Sequence, residues 1–360
     1  MTVAIVLADL RAEGGPALAA DLASQWRDHD PVVLCLHDGA MDMADRFTSI
    51  GVPVEVLHIP SISLRHYPRI AAQVAAALRR HKANAVVSIP SGVHGAIFEG
   101  ARRAGIARRV VHVGNYPWHW QAGFWKYRLL MRLSAPWTPD LVCVTDHVRA
   151  GVARHFGHVA RRLHVIPNGI DPDAFAFRRR DPVPDTRPIE VVTVARLDSG
   201  KDHATLIDAV RALVARGVDV RLTLAGDGTL RRDLETRARD LGDRVRFLGA
   251  RRDVPDLLDA ADVFAFPVRP EEGLGIALVE AMVAGLPIVA TDVGACREVL
   301  DGGRCGALVP ENDPQAMADA ILAAARTPDA DRIAAARARV ADTYSRAAMA
   351  AAYGRLCGLT

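Results

Sequence analysis

The chain of 360 residues predicts an α/β protein of two doubly wound parallel sheets. Two observations carry that prediction. Short apolar, β-branched runs alternate with longer amphipathic ones, the pattern of repeated βαβ units. After a stretch rich in proline and charge, residues 171–188, the same alternation starts again. Half of the residues are hydrophobic, so each half has the means to bury its own core.

The first half reads as strands 3–8, 32–36, 54–58, 85–89, 109–113, 141–144 and 163–166, with helices 16–27, 68–81, 94–104 and 146–156 between them. The second half opens with strand 190–195 and helix 202–216. Strand 219–225, helix 229–241, strand 244–248, helix 254–260, strand 262–266, helix 274–284 and strand 287–291 follow. A helix near 314–326 and an Ala-rich helix pair from 330 onward close the chain. The expected domains are 1–170 and 189–340, joined by the linker 171–188, with a last helix, 341–360, packing back on the first domain. Ligands bind at the carboxyl ends of strands in such sheets. With two sheets facing one another, the site is expected in the cleft between them.

Composition excludes several classes. A net charge of +3 gives no reason to invoke nucleic acid. Five cysteines, Cys35, Cys143, Cys296, Cys305 and Cys357, are scattered and form no CxxC. That reads as reduced thiols in a cytoplasmic protein, neither a disulfide framework nor a zinc site. The start of the chain lacks a basic n-region and reads as a first strand, so no signal peptide is expected. No run of 18 apolar residues occurs, so no spanning helix is expected. Charge is nevertheless uneven: residues 100–165 carry eleven Arg/Lys against two acids, whereas residues 1–99 carry eight against ten.

The most informative stretch runs from Glu271 to Pro287. Glu272 and Glu280 stand eight residues apart, and Gly273 and Gly275 between them open what reads as a helix. Leu274, Ala277, Leu278, Ala281 and Met282 keep helical spacing. Gly285 and Pro287 supply a stop. At about 1.5 Å per residue the two carboxylates would lie roughly 12 Å apart along the axis. Carboxylates that cleave a glycosidic bond stand about 5–9.5 Å apart, so a two-acid hydrolase is disfavoured. An extended ligand fits better: a nucleotide sugar with its pyrophosphate at the helix N-terminus, Glu272 near the sugar and Glu280 near the ribose. The alternative is a surface helix with two solvated glutamates.

Other candidates fall on loops after strands. Arg196 follows the strand that opens the second half, and Lys201 starts the next helix. Together they can neutralise a pyrophosphate, Arg by a fork and Lys as a point charge; a solvent-exposed pair is the plain reading. Gly226, Asp227 and Gly228 follow another strand and allow close backbone approach to a ligand, or form a simple turn. Leu248, at the end of the strand through Phe247 and Gly249, could offer backbone groups to a base, or be an ordinary strand end. Gly14 and Gly15 could aim helix N–H groups at a phosphate, or belong to a plain loop. His94 could meet an acceptor hydroxyl, or be an exposed loop histidine.

These pieces, in this order, resemble the retaining glycosyltransferases of family 4. The resemblance rests on Val194-Ala-Arg-Leu with Lys201, Ala225-Gly-Asp-Gly228 and Phe247-Leu-Gly249. It rests further on Ala261-Asp-Val-Phe with Pro267, and on Glu272-Gly-Leu-Gly with Glu280-Ala-Met and Gly285-Leu-Pro287. Pro167-Asn-Gly-Ile-Asp171 and Gly14-Gly15 also agree, the first half more loosely. The resemblance implies a GT-B fold of two Rossmann-like domains. It implies a UDP- or GDP-sugar donor on the second domain and a glycan or lipid-linked acceptor on the first, in bacterial-type polysaccharide or glycolipid synthesis. Arg196 and Lys201 would stabilise the leaving diphosphate, Glu272 would lie near the donor sugar, and Glu280 would hold the ribose. Amides near Gly275 and Ile276 would hold phosphate. It implies retention of configuration without a protein nucleophile, with no metal and no cofactor. One departure stands out. The family often places a histidine at a first-domain strand end. That position reads Gly114 here, with His112 two residues earlier on the same face and Asn115 one residue later.

The segment after that strand carries Trp118, Trp120, Trp125 and Trp137 among Lys126, Arg128 and Arg132. Rings beside cations suit a membrane–water interface or a lipid-linked acceptor. The tryptophans could equally fill a core or line a sugar pocket. Peripheral contact with the inner face of an anionic membrane is the corresponding expectation. Competing functions are a GT-B-fold nucleotide-sugar epimerase or inverting transferase, and a non-catalytic nucleotide-sugar-binding partner.

Overall fold

The computed structural model describes residues 1–11, 14–61, 63–89, 93–117, 125, 128–129, 132, 140–157 and 162–359. They form two compact units, Met1–Gly169 with Arg346–Thr360, and Ile170–Ser345.

The first unit contains β1 (Thr2–Leu7), α1 (Gly14–Gln25), β2 (Asp30–Cys35), α2 (Ala44–Ser49), β3 (Val54–Val56), α3 (Tyr67–Arg80), β4 (Ala85–Ser88), α4 (His94–Arg103), β5 (Arg108–Val113), β6 (Asp140–Cys143), α5 (Asp146–Phe156) and β7 (Leu163–Val165). Its sheet runs β3-β2-β1-β4-β5-β6-β7, and every neighbouring pair is parallel. The second unit contains β8 (Ile189–Val194), α6 (His203–Ala215), β9 (Val220–Ala225), α7 (Arg231–Arg237), β10 (Val245–Gly249), α8 (Val254–Ala260), β11 (Val263–Phe266), α9 (Ile276–Val283), β12 (Ile288–Thr291), α10 (Gly294–Val299), β13 (Ala307–Val309), α11 (Pro314–Arg326) and α12 (Ala330–Thr343). Its sheet runs β10-β9-β8-β11-β12-β13, again parallel throughout. In each sheet the strand order reverses beside the opening strand, between β1 and β4 and between β8 and β11. Those are the switch points where crossover helices leave in opposite directions and a crevice opens.

The strands are near-continuous apolar runs because both faces are covered. In β1 all residues after Thr2 are buried, and β4, β6, β11 and β12 are buried end to end. The helices bury one stripe: Ile70, Ala71, Val74, Ala75, Ala77 and Leu78 in α3 follow the 3.6 period. Several starts are capped: Thr145 Oγ1 accepts from Val148 N at 3.1 Å, Asp313 Oδ1 from Ala316 N at 2.9 Å and Asp329 Oδ1 from Arg332 N at 3.0 Å.

The last helix, α13 (Arg346–Cys357), belongs to the first unit. Met349, Ala350, Tyr353 and Cys357 join its core, and Trp26 Nε1 donates to the Ala350 carbonyl at 3.1 Å. Residues 171–188 pack on the second unit. Val183 enters that core, and its N–H donates to Ala325 O at 2.9 Å. Arg180, 7% exposed, donates to the carbonyls of Leu258, Asp259 and Ala261 at the end of α8. Arg187 forks onto Asp262 at 2.7 and 2.8 Å.

Differences from the sequence reading have local causes. Helix 229–241 divides into α7 and a 3-10 stretch, Arg239–Arg244, where Gly242 has φ 54°. Helix 274–284 starts at Ile276, because Gly275 at φ 81° stands outside the helix as its N-cap. Residues 272–275 are therefore not helical, and the rise per residue that spaced Glu272 from Glu280 does not apply to them. The short α2, α10 and β13 carry too few residues to show a period. All five cysteines are buried and free.

Candidate active site

The second unit's switch point gathers the loop after β8, 195–202, and the loop after β11, 267–275. The first is shaped by glycines of the neighbouring turn. A Cβ at Gly226, where φ is 150°, would stand 1.9 Å from Ala195 O, and one at Gly228 would stand 2.6 Å from Leu197 O. Only glycine lets these backbones approach so closely. Leu197 N donates to Asp227 O at 2.9 Å, and Leu230 N to Leu197 O at 2.9 Å. The second loop is pinned at its start by Val268 N donating to Thr291 Oγ1 at 3.2 Å.

Across these loops Lys201 and Glu272 form an ion pair, with Glu272 buried and Lys201 about one-fifth exposed. Glu272 Oε1 also accepts from Gly273 N at 3.1 Å. Lys201 Nζ lies 5.3 Å from the centroid of the Phe266 ring, within reach of a cation–π attraction. The same ring faces Gly275, where a Cβ would stand 2.7 Å from Phe266 Cε1 and Cζ. Phe266 thus underlies both the ammonium and the start of α9. A buried pair of this kind carries a desolvation cost that its attraction only partly offsets. Leu278 N and Val279 N already donate to Gly275 O at 3.0 and 3.3 Å, so an arriving phosphate would give Lys201 a second anionic partner beside the N–H groups of Ile276 and Ala277 that open α9.

Arg196 is exposed and reaches Asp198 at 3.0 Å. Asp198 Oδ1 accepts from Thr229 N at 3.0 Å and Thr229 Oγ1 at 2.9 Å. The Thr229 N–H bond above all holds its carboxyl below the usual range. Asp227 pairs with Arg231 at 3.0 Å. Leu248 lies where the β10 register shifts between Phe247 and Gly249, and its side chain points to solvent. Leu274 and Gly273 are buried, while Gly275, Ile276 and Glu280 are half-buried. Glu280 lies in the second turn of α9.

Three residues here escaped the sequence reading: Phe266, Arg269 and Asp202. Arg269 N donates to Gly200 O at 3.1 Å, and Arg269 Nη2 reaches Asp202 Oδ1 at 3.3 Å. The only sequence signals were adjacency to Lys201 and position at the end of β11. His203 is 2% exposed, and neither ring nitrogen has a hydrogen-bond partner among the described residues. Burial, then the Lys201 charge, pushes its pKa down to about 4.

In the first unit Gly14 begins α1 and is exposed. A Cβ at Gly15 would lie 3.1 Å from the Ile89 side chain, just after β4. His94, the first residue of α4, is fully buried, which lowers its pKa to about 4. His112 is 8% exposed, and its Nδ1 lies 2.8 Å from Tyr353 Oη. Burial takes this ring also down to about 4. A Cβ at Gly114 would meet His112 Nε2 at 3.0 Å, so the imidazole tip already reaches the space above Gly114. Asn115 is exposed. Trp118 and Trp120 lie outside the described residues, whereas Trp125 and Leu129 are 71% and 51% exposed. Arg128 sits over the Trp125 ring, 5.5 Å from its centroid.

Two doubly wound parallel units, the second bearing a basic and acidic switch point ahead of a glycine-opened helix, define the GT-B class. A solved structure of HepE from Anabaena, in complex with UDP and glucose, has the same fold: TM-score 0.85, 20% identity, 100% of both chains covered. The family profile described as Glycosyltransferase Family 4 matches residues 17–174, and that of Glycosyl transferases group 1 matches residues 188–327. The chain belongs to glycosyltransferase family 4. The amylovoran biosynthesis glycosyltransferase AmsK of Erwinia amylovora is 31% identical over 63% of this chain and 53% of its own length. A phosphatidyl-myo-inositol mannosyltransferase of Mycolicibacterium smegmatis is 40% identical over 44% and 41%. The chain spans about half the length of the curated relatives it matches.

Proposed function

We propose that this protein is a retaining glycosyltransferase that moves a sugar from a nucleotide-sugar donor to a glycan or lipid-linked acceptor in polysaccharide or glycolipid synthesis. The observation that carries the reading is the Lys201–Glu272 pair at the β8/β11 switch point, directly before the helix start at Gly275 and Ile276. The second unit takes the donor. Lys201 and Arg196 neutralise the diphosphate as it leaves, and the α9 amides hold one phosphate. Glu272 addresses the sugar and Glu280 the ribose hydroxyls. Charge on the leaving group is met by these cations and the helix dipole, a role that elsewhere falls to a metal ion. The leaving phosphate takes the acceptor's proton, so no protein nucleophile is required. In the first unit His112, whose ring tip reaches the space above Gly114, or Asn115 takes the role of the family's first-domain histidine.

The relatives, a phosphatidyl-myo-inositol mannosyltransferase and an amylovoran biosynthesis glycosyltransferase, support the acceptor classes. HepE with UDP and glucose supports a UDP-sugar donor, with a GDP-sugar the alternative. Exposed Trp125 and Leu129 with Arg128 support peripheral contact with an anionic membrane at its cytoplasmic face. No helix among the described residues is long and apolar enough to cross a membrane.

The test is a thermal-shift panel with UDP, GDP, ADP and their sugar conjugates, followed by acceptor assays with the donor that binds. A ligand at 100 times its Kd stabilises by about 2.7 kcal/mol. A shift with one nucleotide, and an axial or equatorial product bond matching the donor's, is the expected outcome. Donor breakdown without transfer would favour an epimerase, inversion would favour an inverting transferase, and binding without turnover would favour a non-catalytic partner.

A further inference from the structure

Lys201 ends a 3-10 turn, Ser199–Lys201, and α6 begins at His203. The residue between them, Asp202, has φ 31° and ψ 40°. Left-handed backbone is unfavourable for an L-residue, and aspartate is among the few side chains that visit it. Such a conformation persists when its surroundings over-determine it, and here they do. Asp202 is 9% exposed, and both carboxylate oxygens are engaged. Oδ2 accepts from Thr205 Oγ1 at 2.8 Å, inside the first turn of α6, and the Asp202 carbonyl accepts from Thr205 N at 3.1 Å. Oδ1 pairs with Arg269 Nη2 at 3.3 Å, and Arg269 N in turn donates to Gly200 O at 3.1 Å. Glu272 N donates to Arg269 O at 3.0 Å. The loop carrying Lys201 and the loop carrying Glu272 are therefore stitched twice through Arg269, to Gly200 before Lys201 and to Asp202 after it.

The consequence is geometric. Without the reversal at 202, the 3-10 turn would run on into α6 and turn the Lys201 side chain with the helix. With it, Lys201 leaves the chain ahead of the helix and points over Phe266 to Glu272. We propose that Asp202 is a positioning residue for Lys201: its left-handed backbone breaks the chain direction, and its link to Arg269 fixes the ammonium against the Glu272 loop. This inference rests on the reading of Lys201 as the cation of a donor diphosphate site.

The test compares Asp202→Ala, Asp202→Asn, Asp202→Gly and Lys201→Ala. The readouts are affinity for whichever of UDP, GDP and ADP the wild-type chain binds, and kcat and KM for donor turnover. Alanine disfavours the left-handed backbone and removes both carboxylate contacts, and affinity and kcat should each fall roughly tenfold or more. Asparagine keeps the backbone preference and the Thr205 bond, and should recover most of the loss. Glycine restores the backbone alone and should fall between them. The unliganded melting temperature of the asparagine and glycine variants should stay near wild type, which a merely structural role would not separate from activity.

Asp202→Ala with affinity and kcat within about twofold of wild type, beside a crippled Lys201→Ala, would overturn the positioning role and leave the donor site standing. Lys201→Ala with unchanged affinity would bring down the donor-site reading itself. Should Asp202→Ala fail to fold, Arg269→Ala carries the test, and unchanged affinity and kcat in that variant would overturn the proposal.

Discussion

Lys201 and Glu272 neutralise each other before any ligand arrives. Removing one partner leaves an uncompensated charge in a buried place, so the two single variants differ in kind. Lys201→Ala should lower kcat by about 10²–10³, the scale of one lost electrostatic donor, and Arg196→Ala, whose side chain is exposed, by less. Steady-state kinetics at saturating donor checks the order; equal losses would mean that Arg196 becomes buried on binding. The buried histidines give a second prediction at this scale. His94, His112 and His203 all have pKa values near 4 in the folded chain, against about 6.5 unfolded. Between those values the unfolded chain binds protons that the folded one does not. Their contribution to stability is therefore complete above about pH 6.5 and is lost as pH falls toward about 4. Urea midpoints at pH 7.5, 6.5, 5.5 and 4.5 should decline through that window, and a flat profile would show that these rings take up protons without unfolding. The type and place of Arg196, Lys201, Glu272 and Glu280 were legible in the sequence, because each follows a strand or lies on a strongly punctuated helix. Phe266, Arg269 and Asp202 were not, because a ring beneath a cation, or a left-handed aspartate, leaves no spacing pattern.

At the scale of elements, the close approach at Gly226 makes the sharpest demand. A Cβ there would lie within bonding distance of a backbone oxygen, which no side-chain rotation relieves. Gly226→Ala should destabilise by about 2 kcal/mol or more and weaken donor binding with it, read as a drop in melting temperature and nucleotide affinity. A variant as stable as wild type would mean that the β9–α7 turn is free to move. Long strands and helices were legible because parallel strands buried on both faces read as apolar runs and helices as a period. What escaped were short elements, and two boundaries decided by a single glycine. Gly242 breaks one helix, and Gly275 delays another until Ile276. That delay leaves residues 273–275 as non-helical backbone ahead of the helix.

For the molecule as a whole, the basic, aromatic character of 100–165 has its visible counterpart in Trp125 and Leu129, both exposed. Vesicles containing anionic lipid should co-sediment with the protein. Replacing both residues by serine should weaken that binding about a hundredfold or more without changing nucleotide affinity, since each buried apolar side chain contributes about 1.5–3 kcal/mol. No sedimentation with anionic vesicles would remove the membrane from the reading. The two-unit α/β organisation was legible because the strand–helix alternation restarts.

The return of α13 to the first unit bears on how the chain is made. Ala350 and Tyr353 reach Trp26 and His112, yet a ribosome adds them only after the whole of the second unit has been synthesised. During synthesis residues 1–169 lack α13 along one flank, whereas residues 170–345 are contiguous in sequence. A nascent chain released at residue 345 should be cut by protease in its older half before its younger one.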